Sequence, residues 1–364
     1  MLLSEIIKQK IRDGGPISFH DYMEMCLYYP ELGYYTSAVT RIGTDGDYYT
    51  SPSLSPLFGT KIGIQLEQMW SLSDEKPFTI VEYGAGTGDL CHDILGYLKN
   101  NEKLYKGLSY CIIEKSPAMQ QRSTAHLEEK VRWYNSIREI PEKISGCVLS
   151  NELVDNFPVH RVVMQEELME VFVDYQDGDF VELLQPARQI LKDYLSELHV
   201  ILPEGYQTEI NLRATEWIKE IAMSLNKGFV ITIDYGYPSS ILYNEFRSSG
   251  TLLCYHKHKI NDTPYKEPGH QDITSHVNFS ALCHWGLKNG LECCGLTKQA
   301  NFLLALGFGD YCRNEHTSHP DLVNLVKKEA FVKHTLLVDM GSKFKVLIQK
   351  KGRISHQLLG LRYS

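Results

Sequence analysis

No stretch of this chain approaches the roughly 18 consecutive apolar residues that a membrane-crossing helix needs, so no membrane span is expected. Its cysteines are equally unpromising as a framework. The nine of them are an odd number, scattered, and without a C-x-x-C pair, which argues for reduced thiols and against disulfides or a zinc ribbon. Positive charge is short too: 37 Lys and Arg stand against 45 Asp and Glu, a net charge of −8. A protein held to nucleic acid mainly through phosphates needs the opposite balance, so no nucleic-acid partner is expected. Repeats and low-complexity tracts are missing. The first ten residues show neither a signal-peptide core nor an Arg/Ser-rich transit composition, and a cytoplasmic protein is expected. What the chain does have is material for a core: 364 residues, 43% hydrophobic, enough for one large domain with insertions or for two.

The most informative run is Thr79–Leu90. An apolar strand, Phe78–Val81, ends in Glu82, a glycine turn follows (Gly84, Gly86, Gly88), and an amphipathic helix starts near Asp89. This is the first βα unit of a nucleotide-binding α/β domain, with glycines that let backbone approach a ligand closely. A dinucleotide fingerprint requires Gly or Ala at the sixth position of the turn. Here that position is Asp89, and its carboxylate would repel a pyrophosphate. The pattern suits a ligand without phosphates and with a cationic amino acid end, S-adenosylmethionine. An ordinary tight turn is the alternative.

Helices are predicted over residues 1–12, over Ser18–Tyr28 with Ser18 as N-cap, and over Leu57–Trp70. The Gly-, Pro- and Tyr-rich segments Tyr28–Tyr35 and Gly46–Pro52 read either as loops packed by their rings or as a lid over a cofactor. After the glycine unit, strands are predicted at Ser109–Glu114, Val131–Tyr134, Gly146–Ser150 and Gly228–Asp234. Helices are predicted over 89–100, 117–130 and Asn211–Leu225. This alternation predicts a parallel sheet with helices on both faces. Glu82, Glu114 and Asn151-Glu152 all fall at strand carboxyl ends, where ligands of such sheets bind. Arg161–Leu184 reads as a hairpin around Asp177-Gly178. Residues 239–278 read as loop-rich, helices follow near 279–289, 299–306 and 320–329, and Lys343–Gln349 reads as the last strand. Cys293-Cys294 is expected to pack at a helix end. The basic tail 350–364 is expected to fray.

With these segments placed, the chain resembles the MidA family of S-adenosylmethionine-dependent methyltransferases. The matching stretches are Ile17–Met23, Leu27–Pro30, Gly33–Tyr35, Tyr49–Pro52, Glu82–Leu90 and Glu114–Pro117. Asn151–Asp155 with Pro158–His160, Ile233–Gly236, Pro268–Thr274 and Met340-Gly341 continue the series. Ser53 stands where the family tends to have Glu, and Ala85 and Asp89 replace its commoner Pro and Thr or Ser. The resemblance implies a Rossmann-like class I methyltransferase α/β sheet with an N-terminal helical extension and insertions. Its boundaries would be a helical and lid extension over 1–56, a methyltransferase domain over 57–349 with insertions at about 160–210 and 239–330, and the tail 350–364.

The resemblance also implies site residues. Glu82, Gly84, Ala85, Gly86, Gly88, Glu114, Asn151, Thr50 and Ser51 would hold the cofactor. From their residue type alone, Tyr34, Tyr35, Tyr48 and Tyr49 read either as caps on the cofactor or as stacking partners of an acceptor side chain. Mitochondrial members of the family methylate arginine during assembly of a respiratory complex, so a protein substrate bearing arginine, such as a respiratory-complex subunit, is implied. A guanidinium acceptor needs carboxylates that bind it in bidentate fashion. Glu152 and Asp155, three apart at a strand-to-helix turn, are the candidates, with Asn151 beside them; charge compensation at a helix N-terminus is the alternative. His258, Gln271, Asp272 and Tyr235 would line the acceptor cleft. The spacings of His256, His258, His270 and His276 match no common metal pattern, so no metal is expected. A small-molecule methyltransferase, or an assembly factor that binds the cofactor without turnover, are the competing readings.

Overall fold

The apolar runs around the glycine turn become strands of one sheet. The computed structural model describes residues 2–37, 50–74, 76–116, 119–120, 130–257, 259–311, 330–354 and 357–363. The chain divides into two units. The first comprises the described residues up to 37, Val154–Ile218 and Gly236–Trp285; the second comprises 50–153, Lys219–Tyr235 and the chain from Gly286 onward.

The second unit carries strands β1 (Phe78–Tyr83), β2 (Leu108–Ile113), β3 (Val131–Tyr134), β4 (Ile144–Asn151), β5 (Leu225–Tyr237), β6 (Glu292–Lys298) and β7 (Phe344–Lys351). They lie in the order β3-β2-β1-β4-β5-β7-β6. β1 to β5 are parallel, as predicted. β7 runs antiparallel to both β5 and β6. The strand order turns back between β1 and β4, and at such a switch point the crevice outside the carboxyl ends receives the ligand.

Period-two alternation decides which side chains share a face. Phe78 and Ile80, Cys147 and Leu149, Ile231 and Ile233, and Val346 and Ile348 join one core cluster with helices α1 (Pro56–Ser71) and α2 (Asp89–Leu98). Those helices contribute Phe58, Ile62, Leu66, Leu90, Ile94 and Leu95. The alternate residues Val81, Val148, Val230 and Leu347 are buried as well, which is why these strands read as continuous apolar runs. Ser55 starts α1 by accepting the Leu57 N–H at 3.3 Å, with Pro56 at the first helical position.

In the first unit, helices Leu3–Gly14 and Phe19–Tyr28 pack against the hairpin Leu168–Gln176/Asp179–Pro186. Ser18 caps the second helix by accepting the Asp21 N–H at 3.1 Å. The hairpin turns at Asp177 (φ 51°) and Gly178 (φ 98°), two left-handed residues whose twist suits a two-residue loop. The tyrosine segment is packed: Tyr34 is buried, and Tyr28 stacks on Tyr35 with centroids 5.6 Å apart. Two stretches of the resemblance meet here, for His20 stacks on His160 at 4.6 Å. Gly46–Tyr49, the helical prediction at 121–129 and the one at 320–329 lie outside the described residues.

Several expectations need correction. Residues 239–278 are not simply loop: Leu253–His256 pairs with Lys259–Asn261 and Asp272–Thr274. Cys293 and Cys294 sit on β6 at an irregularity in its pairing, not at a helix end. Asn151–Asp155 is followed by a single 3-10 turn, Val154–Asn156, and then by strand His160–Met164, so no α-helix begins there. The described residues of the tail do not fray. Lys350 and Lys351 belong to β7, Leu358 and Leu361 are buried, and the Gly360 and Leu359 amides donate to the side chains of Gln65 and Gln68 at 2.8 Å each. Apolar residues spaced too irregularly for a helix or a strand period hid that contact.

A Cβ on Gly360 would lie 2.3 Å from Phe302 Cε2. Gly360→Ala is therefore expected to destabilise the protein by about 1–3 kcal/mol, through overpacking. Urea unfolding measures this, and an unchanged midpoint would mean that the tail yields without cost.

Candidate functional site

The polar groups at the carboxyl ends of β1, β2 and β4 come from four short segments of the second unit. The first is the glycine loop. Gly84, Gly86 and Gly88 have φ of 65°, 55° and 86°, so the loop needs residues that tolerate left-handed backbone. Gly84 donates its N–H to Ile113 O at 3.0 Å, tying the loop to β2. A Cβ on Gly84 would lie 2.8 Å from Leu153 Cδ1, so the cradle is already as narrow as side chains allow. Asp89 occupies the first turn of α2, its carboxylate accepting from Thr87 Oγ1 at 2.7 Å. A helix N-terminus normally welcomes phosphate. With a carboxylate in its first turn this one is suited to the cationic, phosphate-free S-adenosylmethionine.

Glu82 does not end its strand, as the sequence led us to expect. It lies inside β1 on the face of Phe78 and Ile80, only 2% exposed, and accepts the Tyr110 hydroxyl at 2.7 Å. Burial pushes its carboxyl up to about 7, against the smaller lowering effect of Tyr110. Tyr110, which sequence reasoning passed over as one more apolar strand residue, is the group that orients it. Glu114 follows β2 directly and accepts the Ser116 N–H at 2.8 Å, while burial raises its pKa.

The third segment opens with Thr50. Its N–H donates to Ser53 Oγ at 3.1 Å, closing the first turn of the short helix Ser51–Leu54. Ser53, where the resembling family has Glu, thus serves the turn itself. Ser51 is buried, and its backbone N–H donates to Glu152 Oε1 at 2.9 Å.

That oxygen belongs to the fourth segment, at the end of β4, where Asn151 Nδ2 also donates to it at 3.0 Å. Glu152 has φ 52°, a left-handed conformation that costs a non-glycine residue energy and needs support from its surroundings. Support comes from β5: Ile233 O accepts the Glu152 N–H at 2.9 Å, and Asp234 Oδ2 accepts the Leu153 N–H at 3.2 Å. Asp234 was readable as one more acid at a strand end, but nothing in the sequence said what it would hold. Tyr235 follows it, with its ring edge-on to Phe344 at 5.5 Å.

The structure therefore brings together Ser51, Asn151 and Glu152, with Leu153 reaching Gly84. Asp155 belongs to the first unit, on the 3-10 turn, where it is mostly buried and its carbonyl accepts the Ser275 N–H at 2.8 Å. Gln271 and Asp272 are in that unit too. The Gln271 amide donates to the carbonyls of Thr263 and Lys266 at 2.9 and 2.7 Å, and Asp272 Oδ2 accepts the Tyr35 hydroxyl at 2.9 Å. His258 lies outside the described residues. Among the described residues no helix is long and apolar enough to cross a membrane, and no cluster of three His, Cys, Asp or Glu could hold a metal ion.

Comparison with known proteins identifies the family of the chain. Residues 61–297 match the family described as "Putative S-adenosyl-L-methionine-dependent methyltransferase". A Drosophila melanogaster protein named protein arginine methyltransferase NDUFAF7 homolog, mitochondrial, is 27% identical over 98% of this chain and 86% of its own length. The Mus musculus protein arginine methyltransferase NDUFAF7, mitochondrial, is also 27% identical, over 82% of this chain and 72% of its own. A COG1565 superfamily member from Burkholderia thailandensis, solved with S-adenosyl-homocysteine bound, is 31% identical with a TM-score of 0.88, covering 100% of this chain and 95% of the other.

The raised pKa of Glu82 has a defined sign. Between pH 4.5 and about 7 the unfolded chain loses this proton while the folded one keeps it, so its contribution to stability falls as pH rises and stays unfavourable above 7. Glu82→Gln is expected to be more stable than wild type at pH 8 by on the order of 3 kcal/mol, and so to unfold at a higher temperature, and to match it at pH 4.5. Thermal unfolding at the two pH values checks this; an equal offset at both would assign the effect to packing instead.

Proposed function

We propose that this chain, which belongs to the S-adenosyl-L-methionine-dependent methyltransferase family, methylates arginine side chains of a protein partner. The cofactor would supply an electrophilic methyl group on a sulfonium, with the neutral thioether of S-adenosyl-homocysteine as the leaving group of an in-line displacement. The chain's own residues bind and orient. Gly84, Ala85, Gly86 and Gly88 admit backbone close to the cofactor, and Glu114 accepts hydroxyl protons of a ribose. Glu82, Thr50, Ser51 and Asn151 complete the cofactor side in this reading.

One observation carries the acceptor assignment. Glu152 is held at the carboxyl end of β4 by the Ser51 amide and Asn151, in a backbone conformation that its neighbours must sustain. A guanidinium stays protonated at any working pH and is unreactive until its charge is localised and one nitrogen is aimed. Charge-assisted hydrogen bonds from a fixed carboxylate do both, and near-attack geometry does the rest. Formation of the new N–C bond with loss of the S–C bond would oblige the substituted nitrogen to give up one proton, which the guanidinium-binding carboxylate would take and pass to water. We assign the guanidinium-binding role to Glu152 and, beside it in sequence, to Asp155. Tyr235, His258, Gln271 and Asp272 are assigned to the approach of the acceptor. The names of the relatives, protein arginine methyltransferases, support a protein substrate.

Two measurements test the reading. Calorimetry with S-adenosyl-homocysteine should show binding to wild type and a loss of about 100-fold or more in Gly84→Val, since a side chain there meets both Leu153 and unfavourable backbone. Transfer of labelled methyl to lysate protein should fall about 100-fold or more in Glu152→Gln and Asp155→Asn, with cofactor affinity little changed. Hydrolysis of the labelled protein should release methylarginine. Label confined to small molecules would overturn the arginine assignment.

A further inference from the structure

The carboxyl end of β5 carries a buried carboxylate that the methyl-transfer reading leaves without a task. Asp234 is 0% exposed, and its oxygens hold two backbone amides: Oδ2 accepts the Leu153 N–H at 3.2 Å and Oδ1 accepts the Tyr235 N–H at 2.9 Å. A carboxylate is costly to bury, and it persists where hydrogen bonds compensate it. The residue before it, Ile233, accepts the Glu152 N–H through its carbonyl. Consecutive residues of β5 thus hold the consecutive amides of Glu152 and Leu153, where Glu152 adopts φ 52°. From the same segment the Leu153 side chain reaches the glycine loop, 2.8 Å from where a Gly84 Cβ would stand.

We propose that Asp234 is a positioning residue for methyl transfer. By holding the Leu153 amide it keeps Glu152 in its left-handed conformation with the carboxylate toward the Ser51 amide. By the same bond it keeps Leu153 against Gly84, so one short segment sets the acceptor carboxylate and the cofactor loop together. The proposal rests on the reading of Glu152 as the acceptor-side carboxylate.

Asp234→Asn is nearly isosteric but offers one carbonyl oxygen for two amide donors, and its NH2 opposes whichever N–H is left. The expected result is a drop of about 10- to 100-fold in kcat, read at saturating cofactor, for labelled-methyl transfer to lysate protein, with S-adenosyl-homocysteine affinity weakened about three- to tenfold through Leu153. Introduced into Glu152→Gln, the same change should cost less than about twofold more, because a residue that acts through Glu152 has nothing further to lose. A merely structural Asp234 would give losses that multiply, and that result overturns the proposal, as does an unchanged kcat in the single variant. If Glu152→Gln alone keeps full transfer, the acceptor reading fails on its own account. Should Asp234→Asn not fold, Leu153→Ala and hydrogen exchange still decide. Leu153→Ala should weaken S-adenosyl-homocysteine binding about three- to tenfold, and the wild-type Leu153 amide should exchange as slowly as the amides of β4. A Leu153 amide that exchanges like an open loop, or an alanine variant with unchanged affinity, would count against it.

Discussion

The register between β4 and β5 is the constraint on which the rest of the site depends. Ile233 lies beside Asn151, and every pair back to Gly228 and Gly146 follows from it. A slip by one residue would turn each side chain to the opposite face and carry Asp234 away from the Leu153 amide. The glycine pair helps to pin that register, since a Cβ on Gly228 would stand 2.0 Å from Gly146 O. Only a side-chain-free position can pass there. Apolar burial on both faces stabilises the sheet but does not choose among registers, because a slipped strand would still present apolar residues to both sides.

Against that apolar background three carboxyl groups divide by what they are given. Glu82 has one tyrosine hydroxyl and is driven toward the neutral form. Asp234 has backbone amides on both oxygens, the donors that a buried carboxyl group needs. Glu152 has an amide and a carboxamide on one oxygen. These are three acids at or near strand ends in one unit, with three environments.

Much of the sheet was legible because continuous apolar runs that reach an acid leave little choice of element, as at Phe78–Tyr83, Leu108–Ile113 and Leu225–Tyr237. The hairpin was legible from its Asp177-Gly178 turn. β6 escaped notice because Cys293, Cys294 and Gly295 interrupt its alternation where its pairing is irregular. The turn after β4 was misjudged since strand-then-helix is the rule in such folds, and here a 3-10 turn leads into an inserted strand instead. At the site, the glycines and strand-end acids announced themselves by type and spacing. Their partners did not. Tyr110 looks like any aromatic on a buried strand, and the Ser51 contact is made by a backbone amide, which no side-chain pattern can encode.

The packing of the tail bears on how the second unit comes into being. Gln65 sits on α1, near the start of that unit, yet its side chain is occupied by the amide of Gly360, 295 residues away. Between the two lie β1 to β7 and the stretches of chain that build the first unit. A chain emerging vectorially can form α1 and pair its early strands, but the groove beside Gln65 and Phe302 stays open until the last stretch arrives. Contacts of such long range are slow to form, and until they do an apolar surface stands exposed. Completion of the methyltransferase body therefore waits on residues 358–361, and a nascent chain stopped short of them would leave the groove beside Gln65 and Phe302 uncovered.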